Sequence, residues 1–213
     1  MVINKYLAEL LGTFVLVFLG SMTILGVGGP TGAAEIVAIA FGFGLALLAG
    51  IWAVGHVSGG HFNPAVTLAM VLDGRTSFGD AIGYWIAQFA GAGVASLVVM
   101  AASSQDTVAG TVTGYQTLST GILMEIVLTA VFVWVILSAT RRGTTHAPAA
   151  IALTLVGVHL AGIPFSGTSV NPARSFGPAV VSGELEQLWV YIVFPLVGGA
   201  VAWALHKLFP SES

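Results

Sequence analysis

His61-Phe62-Asn63-Pro64-Ala65-Val66-Thr67 and, in the second half of the chain, Ser169-Val170-Asn171-Pro172-Ala173-Arg174-Ser175 share the tripeptide Asn-Pro-Ala. Each copy follows a small, Gly/Ser-rich stretch and opens a short apolar, helix-competent run. A helix is predicted to begin at each one. Asn is a favoured N-cap, and Pro at the first helical position gives up an N–H that has no intrahelical partner. With the Asn side-chain oxygen used as the cap, its amide NH2 points outward, next to a helix N-terminus carrying roughly half a positive charge. Two such ends brought together make a spot that donates hydrogen bonds to oxygen and repels cations.

What surrounds the tripeptides is apolar. Of 213 residues, 56% are hydrophobic and 7% charged, with no cysteine, whereas a soluble domain carries roughly 25% charged residues. Runs of about 20 apolar residues give six candidate membrane spans, 6–26, 34–54, 81–102, 120–140, 147–164 and 187–209, the fifth predicted to stop at Pro164. The Asn-Pro-Ala segments lie between spans two and three and between spans five and six, and their apolar runs are too short to cross. At 1.5 Å per residue, 64–72 reaches about 14 Å, half a bilayer, before Asp73-Gly74 stops it. Paired short, Gly/Pro-interrupted apolar segments at matching places in two halves point to a site at the membrane midplane.

The two halves match in detail. Glu9-Leu10-Leu11-Gly12-Thr13 in span one returns as Glu125-Ile126-Val127-Leu128-Thr129 in span four, and Leu48-Ala49-Gly50-Ile51 returns as Leu160-Ala161-Gly162-Ile163. Tyr84 stands before Gly91 as Tyr191 stands before Gly198. Three spans and a half-helix, repeated, force the second copy to enter the membrane from the opposite face. The chain is therefore read as a single transmembrane domain, 1–213, with repeat one at 1–105 and repeat two, inverted, at 118–213. The fold class is an all-α membrane protein of six transmembrane helices and two re-entrant half-helices that meet by their N-termini.

Charge placement orients this bundle. The net charge is −3, but Lys5, Arg75, Arg141, Arg142 and Lys207 all fall at termini or loops on one side, which the positive-inside rule makes cytoplasmic, both termini included. Arg174 falls elsewhere, on the side of Asp106, Glu184 and Glu186. The first apolar run is long enough to span and carries Glu9, so it reads as a span and not as a cleaved signal. A carboxylate inside a span costs roughly 2.5–3.5 kcal/mol on insertion scales and normally faces a partner or a cavity. Glu9 and Glu125 read either as a proton relay or as acceptors for the backbone N–H groups of the irregular stretches 57–62 and 165–170. One carboxylate and one irregular stretch per repeat favours the second, structural role. The pairs Gly42/Gly44, Gly91/Gly93 and Gly198/Gly199 read as close helix packing.

The loops Ser58-Gly-Gly-His61-Phe-Asn-Pro-Ala-Val-Thr67 and Gly167-Thr-Ser-Val-Asn-Pro-Ala-Arg-Ser-Phe-Gly-Pro-Ala179 resemble the signature loops of the aquaporin (major intrinsic protein) family. The likeness runs over nearly the whole chain and is nearest to bacterial water channels of the aquaporin Z type. It implies a passive channel that conducts water in single file and excludes protons and ions, in a homotetramer embedded in the lipid bilayer. By the family's spacing, Phe43, His159, Thr168 and Arg174 match an aromatic/arginine selectivity filter of the water-selective kind. The glycerol-conducting branch usually carries Trp and Gly at the first two positions and Asp after the Arg, where this chain has Ser175. Ala179 stands where a basic residue is common in that branch. One departure is Tyr191-Ile192, where many water channels carry an aromatic pair.

The residue chemistry runs the same way. Asn171 and Arg174 are three apart on one helix and share a face, while the equivalent of Arg174 in the first repeat is the uncharged Val66. A guanidinium in a narrow passage repels cations and donates to water oxygen, and His159 fills space that a glycerol backbone would need. The irregular stretches Gly59, Gly60, His61, Phe62 and Gly167, Thr168, Ser169, Val170 are expected to present a ladder of carbonyl acceptors, with His61 contributing its carbonyl and not its ring.

Other classes stay in view. An ion-coupled transporter also uses inverted repeats but needs a titratable group at the midplane, where this chain offers amides. An enzyme finds no HExxH, no Gly-x-Ser-x-Gly and no metal-ligand spacing, and no cofactor, metal or nucleic-acid partner is expected. A junction-forming structural protein has little to adhere with in such short loops and tails. Within the channel class the alternative is a facilitator of small neutral solutes such as glycerol. Compact loops and termini point to a bacterial cytoplasmic membrane.

Overall fold

A computed structural model describes residues 2–209; residues 210–213 of the second repeat and the side chain of Arg142 lie outside the described residues. The chain runs through α1 (Val2–Gly26), α2 (Ala33–Ser58), α3 (Pro64–Leu72), α4 (Phe78–Ala102), α5 (Gln105–Ala109), α6 (Leu118–Arg142), α7 (Ala147–Ser166), α8 (Pro172–Ser182) and α9 (Leu188–Lys207). Six of these, α1, α2, α4, α6, α7 and α9, are long and apolar enough to cross a membrane. The remaining two apolar ones, α3 with 9 residues and α8 with 11, are half-length.

The helix ends follow local chemistry. Asn63 and Asn171 are extended N-caps: the Asn63 side chain accepts from the Ala65 N–H at 2.8 Å, and that of Asn171 from the Ala173 and Arg174 N–H groups at 3.0 and 3.4 Å. Each is followed by Pro, so the helix loses no bond to it. Helix α3 stops at Asp73, whose N–H returns to the Ala69 carbonyl, and Gly74 turns away with φ of 76°. Helix α4 starts ahead of the apolar run because Ser77 caps it, accepting from the Asp80 N–H. The short α5, which the apolar pattern does not signal, begins in the same way at Ser104.

The fifth span does not stop at Pro164 but continues to Ser166. A proline in the last turn removes one N–H from the ladder, and the turn is closed beyond it by Gly167, left-handed at φ 66°, whose N–H reaches the Ile163 carbonyl at 3.1 Å. The carbonyls left over at the end, Pro164 and Phe165, accept from the Nε2 and backbone N–H of Gln116. The last span ends at Lys207, two residues short of the apolar run.

Packing is two-fold in pattern. Helix α1 lies against α2 and α4, and α6 lies in the same way against α7 and α9; α2 and α7 join the halves. The half-helices are exchanged: α3 packs on α9 and α8 on α4. Small residues permit the crossings. A Cβ on Gly91 would run into the Leu10 carbonyl and one on Gly198 into the Ile126 carbonyl, counterpart positions of the two halves. Gly199 gives the same access to the Ala65 carbonyl, Gly42 to Thr23 and Gly44 to the Ala152 carbonyl. Gly93 is different from the expectation: nothing lies within 4 Å of its Cβ position, because it is on the outward side of α4, so close packing does not explain it.

At one end of the bundle the carboxylate of Asp73, its side chain 1% exposed, gathers three cations: Arg75 Nε at 2.9 Å, Lys207 Nζ at 3.0 Å and Arg141 Nη2 at 3.2 Å. This ties the end of α3 to the ends of α6 and α9. Burial works to raise the carboxyl pKa, but Lys207, Arg75 and Arg141 outweigh it and hold Asp73 below the usual carboxylate range. A carboxyl with a depressed folded-state pKa contributes stability above its unfolded value and loses it as pH falls through the folded one. Thermal unfolding in detergent is therefore expected to show a stability loss below about pH 4, and Asp73→Asn to remove that acid-dependent part. The variant should lose about 1–3 kcal/mol at neutral pH, between the values of an exposed pair and a buried one; an unchanged pH profile would exclude this role.

Candidate functional site

Between α2 and α3, and between α7 and α8, the backbone leaves helical geometry at membrane depth, where no water satisfies its polar groups. The two stretches take up matching conformations. Gly59 and Gly60 have φ of 93° and 66°, and Gly167 and Thr168 have 66° and 49°; Phe62 and Val170, directly before the two asparagines, have 48° and 47°. Left-handed backbone is unusual for a bulky residue and an outlier for a β-branched one such as Val170, and it persists only where the surroundings enforce it.

Glu9 and Glu125 enforce it. Both are fully buried. Glu9 accepts from the N–H groups of His61 at 2.9 Å and Phe62 at 2.7 Å, from Ser58 Oγ at 2.7 Å and from Gln88 Nε2 at 2.8 Å. Glu125 accepts from the N–H groups of Ser169 at 3.0 Å and Val170 at 2.8 Å and from Ser166 Oγ at 3.0 Å. The carbonyls that close α2 and α7, Ser58 and Ser166, accept from the hydroxyls of Tyr84 and Tyr191 at 2.6 and 2.8 Å.

The asparagines cross-link the halves. Asn63 Nδ2 donates to the Val170 carbonyl at 2.7 Å, and Asn171 Nδ2 donates to the Phe62 carbonyl at 2.9 Å. Two rungs of the expected ladder, the Phe62 and Val170 carbonyls, thus each accept one protein amide and keep one lone pair. Among the described residues, the carbonyls of Gly59, Gly60, His61, Gly167, Thr168 and Ser169 accept no hydrogen bond from the protein. Each asparagine amide has two hydrogens, so one remains beyond the cross-link.

Around the asparagines lies a cavity lined by Leu16, Phe43, Leu47, His61, Asn63, Phe132, Leu155, His159, Ser169, Val170, Asn171 and Arg174. It offers about 20 Å³ to the centre of a water molecule, which is room for one or two waters. A second cavity of about 80 Å³ shares Leu47, His61 and Phe132 with the first and adds Gly59, Gly60, Ile51, Val66 and Ile136, among others. The two adjoin at these shared residues, beside the Asn-Pro-Ala helices.

Three of the four residues matched to the filter by the family's spacing line the first cavity together. The rings of Phe43 and His159 stack with centroids 4.7 Å apart, and the Arg174 guanidinium carbon is 4.9 Å from the Phe43 ring centre. Arg174 Nη1 donates to the Thr111 carbonyl at 3.1 Å, while its Nε is buried without a protein partner. His159 Nδ1 bonds the Leu155 carbonyl at 2.9 Å; since a carbonyl can only accept, Nδ1 carries the proton and the unpartnered Nε2 is a bare acceptor. The three thus offer a donor on one side and an acceptor on the other. Thr168 is fully buried and outside the lining of these two cavities, with its hydroxyl against Gly162 of α7 and a left-handed backbone; its carbonyl accepts no hydrogen bond from the protein.

His61 is fixed by the same reasoning. Thr67 Oγ1 donates to the Asn63 carbonyl, so the His61 Nδ1 contact at 3.0 Å has the histidine donating. His61 lines both cavities. Sequence reasoning missed the apolar wall. Its signal was present: Leu16 and Phe132 stand seven residues after Glu9 and Glu125, on the same helix face, and Leu47 and Leu155 stand four from Phe43 and His159. Gln88 and Thr111 carried no comparable signal, because each acts through a contact far away in sequence.

Residues 1–206 match the profile of the family described as Major intrinsic protein. "Aquaporin Z" of Photorhabdus laumondii subsp. laumondii is 41% identical over 228 residues, covering 99% of each chain. "Glycerol uptake facilitator protein-like 6" of Lactiplantibacillus plantarum is 41% identical over 219 residues, covering 98% of this chain and 99% of that one. Among solved structures, the aquaglyceroporin from Plasmodium falciparum superposes with a TM-score of 0.87 at 23% identity, covering 97% of this chain and 96% of that one, a likeness of fold. With its helices, its paired half-helices and its sequence in agreement over nearly the full length, the chain belongs to the major intrinsic protein family of membrane channels.

Proposed function

We propose that this protein is a passive, water-selective channel that passes water in single file and excludes protons and ions. The observation that carries the reading is the arrangement of Phe43, His159 and Arg174, two stacked rings and a guanidinium on the cavity that also holds Asn63 and Asn171. Water meets donors at Arg174 Nε and the free hydrogens of Asn63 and Asn171, and acceptors at His159 Nε2 and the loop carbonyls. A donor–acceptor lining of this kind exchanges the hydrogen bonds of water instead of breaking them. Cations are opposed twice, by the Arg174 charge and by the N-termini of α3 and α8, which meet at the asparagines. The similarity to "Aquaporin Z" supports the same reading. A facilitator of small neutral solutes is the second reading, favoured by the relative named as a glycerol uptake facilitator.

The same proposal includes a single domain of two inverted repeats, 1–105 and 118–213, a homotetrameric assembly, and residence in a bacterial cytoplasmic membrane. Both termini lie on the cytoplasmic side, which is supported by the convergence of Lys5, Arg75, Arg141 and Lys207 on the carboxylates Asp80 and Asp73 at one end of the bundle. The protein acts without cofactor and without covalent chemistry.

Stopped-flow light scattering on proteoliposomes tests the central claim. Osmotic water permeability is expected to rise above that of bare lipid with a low activation energy, while glycerol uptake and an internal pH dye stay at the lipid baseline. Glycerol flux comparable to water flux selects the second reading, and water flux at the lipid baseline in folded protein ends both. The filter is tested by separating bulk from charge. His159→Gly is expected to raise glycerol permeability by about tenfold, a barrier change of about 1.4 kcal/mol, with little proton leak. Adding Arg174→Val is expected to raise proton leak as well; solute exclusion unchanged in both variants would move the narrowest point away from these residues.

A further inference from the structure

The acceptor that orients Arg174 belongs to an irregular stretch, 110–117, between α5 and α6. A selective guanidinium held by a loop is only as well placed as the loop. Three buried hydroxyls tie this loop to the half-helix that carries Arg174. Thr113 Oγ1 is 2.7 Å from Ser175 Oγ, Ser175 Oγ is 2.6 Å from Ser169 Oγ, and Ser169 Oγ is 2.7 Å from the Asn171 carbonyl. All three residues are at most 4% exposed.

Each hydroxyl has one proton, so the direction of the chain is determined from its end. The Asn171 carbonyl can only accept, so Ser169 donates to it. Ser175 then donates to Ser169, and Thr113 donates to Ser175. Every proton is used and the chain runs one way, from the loop into the first turn of α8. Ser175 is adjacent to Arg174, and Thr113 is two residues from Thr111, whose carbonyl takes the Arg174 Nη1 hydrogen at 3.1 Å. The loop is thus linked to α8 twice, once through the guanidinium and once through the hydroxyls. Packing adds little freedom: the backbone of Gly114 lies 3.3 Å from the Cβ position of Gly167, and Gln187 Oε1 accepts from the Tyr115 N–H at 3.2 Å.

We propose that Thr113 and Ser175 are positioning residues for selectivity, because the Thr113–Ser175–Ser169 hydroxyl chain fixes the distance between the Thr111 carbonyl and α8 and thereby holds Arg174 against Phe43 and His159. This rests on the reading of Arg174 as the charged filter residue. Loss of the chain lets the loop and the guanidinium move together, so the passage widens for neutral solutes without loss of its charge.

The test is the ratio of urea to water permeability in proteoliposomes of the full chain, for Thr113→Val, Ser175→Ala, the double variant, Thr113→Ser and Arg174→Val. Thr113→Val is isosteric and removes only the donor; it is expected to raise the ratio about fivefold, the shift that loss of one buried hydrogen bond produces. Ser175→Ala also strands the Thr113 proton, so its effect is expected to be larger, and the double variant milder than Ser175→Ala alone. Thr113→Ser keeps the hydroxyl and is expected to retain the parent ratio. An unchanged ratio in folded Thr113→Val, additive effects in the double variant, or a Thr113→Ser ratio equal to that of Thr113→Val would each overturn the proposal. Should Ser175→Ala fail to fold, the comparison of Thr113→Val with Thr113→Ser decides alone. Arg174→Val separates the two levels: a raised ratio there with Thr113→Val at the parent value refutes the positioning role alone, and no change in Arg174→Val refutes the filter reading with it.

Discussion

Two carboxylates with no exposure to solvent, each accepting a pair of consecutive backbone N–H groups, are what the rest of the channel depends on. His61 and Phe62 donate to Glu9, and Ser169 and Val170 donate to Glu125. An unsatisfied N–H at this depth costs several kcal/mol, and a neutral acceptor would not offer four lone-pair sites in so small a volume. By fixing the N–H side of each loop in the protein, the carboxylates leave the carbonyls on the other side. They also make tolerable the left-handed conformations of Phe62 and Val170, which direct the chain into the asparagine caps. The two halves do this with unequal means. Gln88 gives Glu9 a fourth donor, whereas the matching position in the second half is Pro195, in line with the spacing Tyr84–Gly91 and Tyr191–Gly198.

The walls of the two cavities are contributed in pairs, one residue from each half: Leu16 with Phe132, Phe43 with Leu155, Leu47 with His159, Val66 with Arg174, Asn63 with Asn171. Where the members of a pair are alike, they make a symmetric passage. Where they differ, they make a direction. Leu47 and Val66 are apolar where His159 and Arg174 are polar, so the repeated architecture supplies the passage and the departures from repetition supply the charge. The second repeat also holds the loop-facing Ser175, while Thr67, four residues after Asn63, is given over to His61 and Gln88.

The helix starts at Asn63 and Asn171, the six spans and the inverted arrangement were legible in the sequence because each rests on a local rule: capping, length, or repetition of a short motif. Boundaries were less legible where a distant partner decided them. Pro164 reads as a stop, but the helix continues to Ser166, and Gln116, nearly fifty positions away in the chain, takes up the carbonyls left over at its end. At the site, Phe43, His159 and Arg174, matched by the family resemblance, lie around one cavity. The direction of the Thr168 side chain was not legible, because it goes with a left-handed backbone angle. Nor was the bond that each of the Phe62 and Val170 carbonyls accepts, which requires knowing that the asparagine caps face each other.

The exchange of half-helices, α3 onto α9 and α8 onto α4, has a consequence for biogenesis. When the first four helices have left the ribosome, α3 has no lasting partner on one flank, because the surface it rests against, around Gly199, belongs to α9, which is made after α1 to α8. Insertion of the first half therefore cannot be the same event as its folding. The re-entrant segment must wait until α9 arrives, so the order of synthesis makes an early loop a late one to acquire its final structure.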